Sequence, residues 1–248
     1  SNGNFTGIRI MGVFQNHLMG AAAAAAGAST SFYDYQIEQS CRFENASNSS
    51  LERATSFSAI TTFTFSTWVK RGGIGENYKY FFQCKSNQGI GFADTNAITI
   101  LNGSSHALGS ALFRDASAWM HVVLKVTSGT GQLYVNNDTL HTNTSMSLQG
   151  GDGTAIQVGN YGDTNGFSGY LAETILIDGS ALNPTSFAEN HNGVWRPIDP
   201  SGLTFGTQGF WLKYENSGDL GNDSSGNNND YTAANLAADH QVLDSPTS

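Results

Sequence analysis

The chain of 248 residues is long enough for one all-β domain of sandwich size with appendages. Charged residues make up only 12% of it, and its polar share comes from Asn, Ser, Thr and Gly, a mix that favours a many-turned β protein. The net charge of −9, from 11 basic and 20 acidic residues, excludes nucleic acid as the main partner, because a phosphate-tracking surface needs clustered Lys and Arg.

Residues 1–36 form a Gly- and Ala-rich segment with no repeating apolar face. The alanine run at 21–26 favours a helix, but the run is short and lies between Gly20 and Gly27. The segment superficially resembles a signal peptide, yet its basic start is weak, and no apolar run in the chain is long and clean enough to span a bilayer. We predict an N-terminal assembly arm that orders against neighbouring subunits; a floppy tail is the alternative.

Short strand patterns follow from about residue 37, and the clearest is a hairpin over residues 119–140. Apolar and polar residues alternate along its first strand, which is typical of a half-buried antiparallel strand. A Ser-Gly-Thr-Gly turn at 128–131 leads into the return strand. A second long strand, residues 167–178, is apolar on both faces, so we expect it inside a sheet and not at an edge.

Turn signals separate these strand patterns at regular intervals, which predicts an all-β fold, an antiparallel two-sheet jelly-roll over residues 37–216. The one plausible helical turn lies at 183–190, with Asn183 as N-cap and Pro184 at the first position. Residues 217–248 are Asn-, Gly- and Asp-rich and lack a core-forming pattern, so we expect them to pack on the jelly-roll or extend from it. The predicted interior consists of Phe43, Phe65, Trp119 or Val122, Leu124, Leu133, Leu171, Ile175 and Leu212.

The two cysteines, Cys41 and Cys84, lie in apolar, strand-like runs. The burial tendency of cysteine favours two buried free thiols that act as small apolar residues. A disulfide is the alternative if the two strands are neighbours, but the sequence does not supply the Cα separation. Their spacing matches no zinc site.

Catalytic chemistry finds little support in the sequence. A retaining glucanase on a jelly-roll needs two carboxylates on one strand face, roughly 5–5.5 Å apart. The best acidic pair in a strand, Glu173 and Asp178, has an odd spacing and so points to opposite faces. The histidines are scattered, and we expect His121 to be a surface or cross-strand residue and not a base. We therefore predict that the protein is not an enzyme, with a polysaccharide hydrolase as the less favoured alternative.

The polar loops around residues 152–167 are a candidate ligand site because they combine hydrogen-bonding side chains with an aromatic ring, as sugar-binding sites do. The alternative is a hairpin loop with Asx turns. The candidate ligand-binding residues are Asp152, Asn160, Tyr161, Asp163 and Asn165.

A second polar loop, residues 219–230, offers the hard oxygen ligands that calcium prefers, in Asp223, Asn227, Asn229 and Asp230. Its spacing does not match the EF-hand loop, and a plain polar turn is the alternative. No other cofactor is predicted from the sequence.

Several stretches of the chain, read together, resemble one group of proteins. They are S-L-E-R at 50–53, T-F-T-F-S-T-W-V-K-R at 62–71, L-F-R-D-A-S-A-W-M-H-V-V at 112–123, Q-L-Y-V-N-N at 132–137, the strand at 167–179, G-V-W-R-P at 193–197, D-S-S-G-N at 223–227 and Q-V-L-D-S-P-T at 241–247. The pattern resembles the concanavalin A-like, laminin-G-type jelly-roll of structural proteins from tailed phages of marine and aquatic bacteria. The resemblance covers the chain from about residue 19 to its end.

This resemblance implies a structural protein on the virion surface, in a tail fibre, an appendage or a capsid decoration. It implies partners among other virion proteins and copies of the same chain, reached through the N-terminal arm. It also implies, more weakly, attachment to host surface glycans, because the fold is common among carbohydrate binders. Structural display without any ligand is the alternative, since one fold hosts many functions.

Overall fold

The computed structural model describes residues 32–54, 59–85, 87–148, 155–162 and 165–248. The chain divides into two units, Ser1–Asp34 and Tyr35–Ser248. Of the first unit the structure describes only residues 32–34, where the rings of Phe32 and Tyr33 meet edge-on at 5.0 Å. The predicted assembly arm therefore lies outside the described residues for most of its length.

The described part of the chain is almost entirely strand and loop, as the sequence predicts. Three 3₁₀ turns occur in it, at Asn45–Ser47, Pro184–Ser186 and Ala238–His240. The strands are β1 Ser40–Phe43, β2 Ser50–Arg53, β3 Phe63–Arg71, β4 Lys79–Lys85, β5 Gln88–Phe92, β6 Ala97–Asn102, β7 Ser105–Leu112, β8 Trp119–Thr127, β9 Thr130–Val135, β10 Asp138–Ser145, β11 Ile156–Val158, β12 Gly169–Asp178, β13 Ala188–His191, β14 Val194–Pro197, β15 Phe210–Leu212, β16 Thr232–Ala234 and β17 Gln241–Val242. Among the described residues, none of the helices has the length and apolar character needed to cross a membrane.

Two antiparallel sheets make up the sandwich. The first sheet has the order β10-β9-β8-β3-β12-β1-β17, with β15 pairing beside β1 along the same edge of β12. The second sheet has the order β16-β2-β11-β4-β5-β6-β7, and β13 and β14 form a separate hairpin. The predicted two-sheet sandwich is thereby confirmed, and the long strand β12 lies inside a sheet as expected.

The predicted hairpin at 119–140 is formed by β8 and β9. Thr127 pairs with Thr130, so the connection is a two-residue turn of Ser128 and Gly129, both with positive φ (48° and 81°). Such a turn matches the right-handed twist of the flanking strands. The apolar face of β8, including Val122 and Leu124, is fully buried between the sheets.

Most of the predicted interior lies between the two sheets: Phe43, Phe65, Val122, Leu124, Leu133, Leu171 and Leu212. The rings of Phe65 and Phe82 stack across the sandwich at 3.8 Å. Cys41 and Cys84 are both buried in the same core and form no disulfide, as the favoured interpretation predicts. Burial raises the pKa of the Cys41 thiol far above its ordinary value, so it stays protonated and behaves as an apolar group.

The placement of Ile175 between the sheets was wrong, and a β-bulge in β12 explains why. Ala172 pairs with Trp68 and Ile175 with Ser66, so two residues, Glu173 and Thr174, lie opposite one residue of β3. Glu173 takes up the extra length with a φ of 48°. The bulge reverses the alternation beyond it, so that Ile175 packs on the outer face of the first sheet.

That outer face is covered by residues that precede β1 and by residues that follow β12. Val123, Ile175, Ile177 and Trp211 pack there against Phe187 and Phe205, and Trp68 packs with Ile37 and Ala188. Trp119, the other interior candidate, is only partly buried at the edge of this layer. The predicted helical turn at 183–190 is shorter than expected: the 3₁₀ turn ends at Ser186, and β13 follows because the chain pairs with β14.

The C-terminal residues contribute to both sheets despite their polar composition. β16 pairs with β2 in the second sheet, and β17 pairs with β1 in the first. Leu220 and Tyr231 are buried in the core between the sheets. Two apolar side chains spaced eleven positions apart leave no periodic pattern, which is why the sequence shows no core signal here.

Candidate functional site

The outer face of the second sheet carries a row of cross-strand neighbours that is polar at one end and aromatic at the other. The row consists of Glu52, Gln157, Gln83, Gly89, Leu101 and His106. Gln157 donates its Nε2 hydrogen bond to Glu52 Oε1 at 3.0 Å. The backbone N–H of Gly162 donates to the side-chain oxygens of Gln157 and Gln83, at 3.0 and 3.2 Å. These amides hold the loop after β11 against the sheet.

A glycine in this row makes space for the aromatic ring of that loop. A Cβ on Gly89 would lie 2.7 Å from the carbonyl oxygen of Phe82 and 3.6 Å from the ring of Tyr161. The Cβ would therefore clash with the Phe82 carbonyl oxygen and touch the Tyr161 ring, so glycine leaves the ring room to lie over the strand here. Tyr161 therefore packs over Gly89, with its ring centroid 5.0 Å from that of Tyr80.

Beside Tyr161 the surface forms a groove of about 270 Å³, which we call the tyrosine groove. It is lined by Asn77, Tyr78, Tyr80, Asn87, Leu101, Gly103, Ser104, His106, Tyr161 and Asn165. The Tyr80 ring is buried in its floor, and the Tyr161 and Tyr78 rings are half-buried at its sides. This combination of aromatic rings and polar groups around one concavity is the usual composition of a small-molecule site.

Hydrogen bonds and ring contacts connect the aromatic side chains of the tyrosine groove. His106 Nδ1 shares a hydrogen bond of 3.2 Å with the Tyr80 hydroxyl, and its ring lies 4.1 Å from the ring of Tyr78. The Tyr161 hydroxyl donates to Asn87 Oδ1 at 3.3 Å. Burial raises the pKa of both Tyr80 and Tyr161, so both phenols stay protonated and can donate.

Tyr78 holds its side chain in the groove from an unfavourable backbone conformation. Its φ is 31°, in the left-handed region that bulky residues rarely occupy. Such a conformation costs roughly 1–3 kcal/mol and persists only where the surroundings impose it. The strain at a half-exposed tyrosine is a feature that packing alone does not require.

The structure places the predicted ligand residues in three different situations. Tyr161 and Asn165 line the tyrosine groove. Asn160 is fully buried beneath it, where its Oδ1 accepts a hydrogen bond from the backbone N–H of Tyr161 at 2.7 Å. Asp152 and Asp163 lie outside the described residues.

The groove side chains that were not predicted from the sequence include Tyr78, Tyr80, Asn87 and His106. They come from β4, β7 and the segments that border them, up to 87 positions from Asn165, and only sheet pairing brings them together. The sequence signal that could have indicated the groove is Tyr80, an aromatic residue at an outward-facing strand position where a polar residue is expected.

The second candidate loop, 219–230, uses its polar side chains to hold its own turn. Asp223 Oδ1 accepts hydrogen bonds from the backbone N–H groups of Trp211 and Ser225, and Oδ2 accepts from Asn229 N and Ser225 Oγ, all at 2.8–2.9 Å. Asp230 Oδ1 accepts from the backbone N–H of Asp223 at 2.8 Å. Within the described ranges, no three His, Cys, Asp or Glu side chains come together as a metal site would require. The contacts fit the plain polar turn.

A third polar cluster lies under the covered face of the first sheet, around His121. This residue is cross-strand as predicted but buried, not on the surface, because β13 and β14 cover it. Its Nε2 lies 2.8 Å from Ser66 Oγ, and its Nδ1 lies 3.1 Å from Trp195 Nε1. Because an indole N–H can only donate, Nδ1 is the acceptor, and the proton of the neutral ring sits on Nε2. His121 therefore donates to Ser66 and cannot take its proton.

Glu173 lies in the same cluster, and its carboxylate accepts hydrogen bonds from the Tyr35 hydroxyl at 2.8 Å and from Trp211 Nε1. Burial raises the pKa of Glu173 to about 7, and these two donors oppose that rise. The other acid, Asp178, has a separate partner, the backbone N–H of Gln208 at 3.0 Å. The cavity between Glu173 and His121 is only about 10 Å³, which is the space of one water molecule.

Comparison with known families now adds to this geometry. A family model described as the concanavalin A-like lectin/glucanases superfamily matches residues 43–188, more than half of the chain. The chain belongs to this superfamily, and the concanavalin A-like, laminin-G-type fold predicted from the sequence motifs is confirmed. A search of curated proteins found no match.

Several solved structures resemble this chain at low sequence identity, and the first one described here shares its fold. A Bacteroides ovatus protein with an inferred carbohydrate-binding role superposes with a TM-score of 0.57 and 14% identity, over 82% of this chain and 61% of that one. A heptameric SAP-like pentraxin from Limulus polyphemus has a TM-score of 0.45 and 18% identity, over 60% of this chain and 80% of that one. Domain 4 of an extracellular arabinanase from Geobacillus stearothermophilus has a TM-score of 0.40 and 20% identity, over 52% of this chain and 65% of that one. The chain thus spans 61% of the length of the Bacteroides ovatus chain.

Proposed function

We propose that this chain is a non-catalytic jelly-roll that binds glycans in the tyrosine groove. The observation that carries the proposal is the groove itself, where the half-buried rings of Tyr78 and Tyr161 flank a concavity lined with amides and hydroxyls. Membership of a superfamily that contains lectins supports it. So does the fold shared with the Bacteroides ovatus protein, although fold alone does not define a function.

The chemistry of the groove suits a sugar ring. Pyranose rings have an apolar C–H face that packs on an aromatic ring, and Tyr161 and Tyr78 offer such faces. Their hydroxyl groups need donors and acceptors close by, which Asn87, Asn165 and Ser104 supply. Tyr80 is too deeply buried to stack on a ligand, and its role is to support the Tyr161 and His106 rings from below.

The absence of catalysis is part of the same proposal. In a catalytic pair, His121 Nε2 would have to accept the proton of Ser66, but this nitrogen already carries the ring proton. The adjoining cavity has no room for a substrate. Glu173 accepts hydrogen bonds from Tyr35 and Trp211, and Asp178 accepts one from the backbone of Gln208, so contacts within the fold account for both carboxylates. We propose that they are not the carboxylate pair that glycoside hydrolysis requires.

A binding assay on the whole chain tests this proposal. We expect host-surface polysaccharide or an arrayed glycan to bind the wild-type chain, and Tyr161→Ala to weaken that binding about tenfold or more, because it removes the stacking surface. Tyr134→Ala, a change of the same size on the first sheet, is the matched control and should bind normally. Unchanged binding by the Tyr161 variant would move the site elsewhere, and no binding by the wild type would favour pure structural display.

We further propose that the protein belongs to the surface of a phage particle, as a tail or capsid component. The sequence motifs that resemble tailed-phage structural proteins support this assignment. The apolar residues of the arm, among them Ile8, Ile10, Val13 and Phe14, favour burial against virion proteins or other copies of the chain. Deleting residues 1–30 should leave a folded jelly-roll that light scattering finds monomeric and that no longer joins particles; equal assembly of both forms would reduce the arm to a tail.

A further inference from the structure

The electrostatic character of the tyrosine groove narrows the class of glycan that it can bind. None of its described lining residues is Lys, Arg, Asp or Glu. The chain as a whole carries a net charge of −9. We propose that the groove selects neutral saccharides over acidic ones and that it binds them without calcium, an inference that rests on the glycan-binding function proposed above.

The selection against acidic sugars follows from what an anion needs in a protein site. Carboxylate, sulfate or phosphate groups on a sugar are bound by Arg or Lys, or by an array of N–H groups at an anion site. The groove offers amides, phenols and one imidazole, which are uncharged donors and acceptors suited to the neutral hydroxyl groups of a sugar. An acidic sugar would lose hydration on entering without gaining a cation, and the negative net charge of the chain would repel it on approach.

The independence from calcium follows from the donor set. Calcium is held by six to eight oxygen ligands, among which protein carboxylates carry the charge. The oxygen atoms of the described lining come from neutral groups, in particular the amides of Asn77, Asn87 and Asn165 and the hydroxyls of Ser104 and the tyrosines. Asn87 Oδ1 uses one of its two acceptor positions for the Tyr161 hydroxyl. The sugar is therefore held by direct hydrogen bonds and stacking.

The dimensions of the groove limit the length of the bound segment. Its volume of about 270 Å³ is close to the lower end of the range for drug-sized ligands, roughly 300–1,000 Å³. We therefore assign it one or two sugar rings, with Tyr161 and Tyr78 as the two stacking surfaces.

The test uses an array of matched saccharides, each neutral member paired with an acidic derivative that carries a sialyl, uronate, sulfate or phosphate group. The full chain is applied at pH about 8, where an ordinary histidine is neutral, with calcium chloride in one series and EDTA in the other. We expect neutral members to bind more tightly than their acidic partners, equally in both series. Stronger binding of the acidic members, or loss of binding in EDTA, overturns this inference and leaves the proposed function intact. No binding to any member overturns both.

A change of charge in the groove sharpens the result. Ser104 is exposed and lines the groove, so Ser104→Lys places a cation beside the ligand. It should improve binding of the acidic partner about two- to fivefold, the range expected for an exposed ion pair. Ser217→Lys, at an exposed position after β15, changes the net charge equally and should have no effect. Equal behaviour of the two variants would show that acidic sugars are not excluded by the groove itself.

Discussion

The two outer faces of this sandwich are built from the same kind of strand and end in opposite situations. On the first sheet, segments that precede β1 or follow β12 in the chain bury Trp68, His121, Ile175 and Trp211. On the second sheet, Tyr78, Tyr161 and His106 remain partly open around a groove. The difference shows that side-chain type alone does not make a binding surface. What decides is whether another part of the chain covers the face.

The largest expected effect is on the free energy of unfolding, which should fall more for a substitution on the covered face than for one on the open face. Trp211→Ala should lower the free energy of unfolding by about 3–5 kcal/mol, because it empties a buried site and removes the indole donor from the Glu173 carboxylate. Tyr161→Ala, on the open face, should lower it by less than about 1 kcal/mol. Urea unfolding followed by tryptophan fluorescence and circular dichroism measures both. Equal losses would mean that the open face is as structural as the covered one.

The covered face should also show itself in the pH dependence of stability. Burial raises the pKa of Glu173 from 4.5 to about 7 and lowers that of His121 from 6.5 to about 3. Stability from Glu173 is lost as pH rises from 4.5 through 7, since the folded state keeps a proton that the unfolded chain releases. Stability from His121 is lost as pH falls from 6.5 through 3, since only the unfolded chain takes up the proton. The two contributions oppose each other between about 4.5 and 6.5.

Glu173→Gln removes the first contribution and leaves the second. As pH rises from 4.5 to 7, the free energy of unfolding of the variant should increase relative to that of the wild type by about 3 kcal/mol. Unfolding in urea at several pH values measures the difference. Glu38→Gln, at an exposed position outside the covered face, is the matched control for removing a carboxyl group. Parallel curves for Glu173→Gln and the wild type would contradict the burial of an ionisable carboxyl at this bulge.

The smallest expected effect concerns the strained residue of the open face. Tyr78→Asn should raise the free energy of unfolding by about 0.5–1 kcal/mol, because asparagine tolerates a φ of 31° better than tyrosine does. The same change should weaken glycan binding, since it removes one side of the groove. A loss of stability instead would mean that the ring contact with His106 outweighs the backbone strain.

These comparisons also show what the sequence could predict. The alternation along β8 and the turn at Ser128 and Gly129 identify the hairpin, because each is encoded within a few neighbouring residues. The recurrence of such strand and turn signals along the chain predicts the sandwich. The bulge in β12 was not predictable, since Glu173 is not a residue type that signals a positive φ. Its consequence, the outward position of Ile175, was missed for the same reason.

The candidate site was predictable only in its loop. Tyr161 and Asn165 are close in sequence and share the polar-aromatic composition of sugar sites. Tyr78 and His106 are 28 positions apart and become neighbours through the pairing of β4, β5, β6 and β7. No local pattern reports which outer face of a sandwich will be covered, because the cover comes from residues far along the chain.

The pairing of β1 with β17 has a mechanical consequence for the unit that holds the groove. Thr247 Oγ1 accepts a hydrogen bond from the backbone N–H of Ile37 and donates one to its carbonyl, both at 3.0 Å, and Ser40 pairs with Val242 just beyond. The first and last strands of this unit therefore lie side by side, and so do the residues at their outer ends. Tension between them acts on one pair of residues at a time and peels β17 away from β1. Resistance to pulling at these two ends therefore depends first on the short pairing of β1 with β17 and not on the core between the sheets.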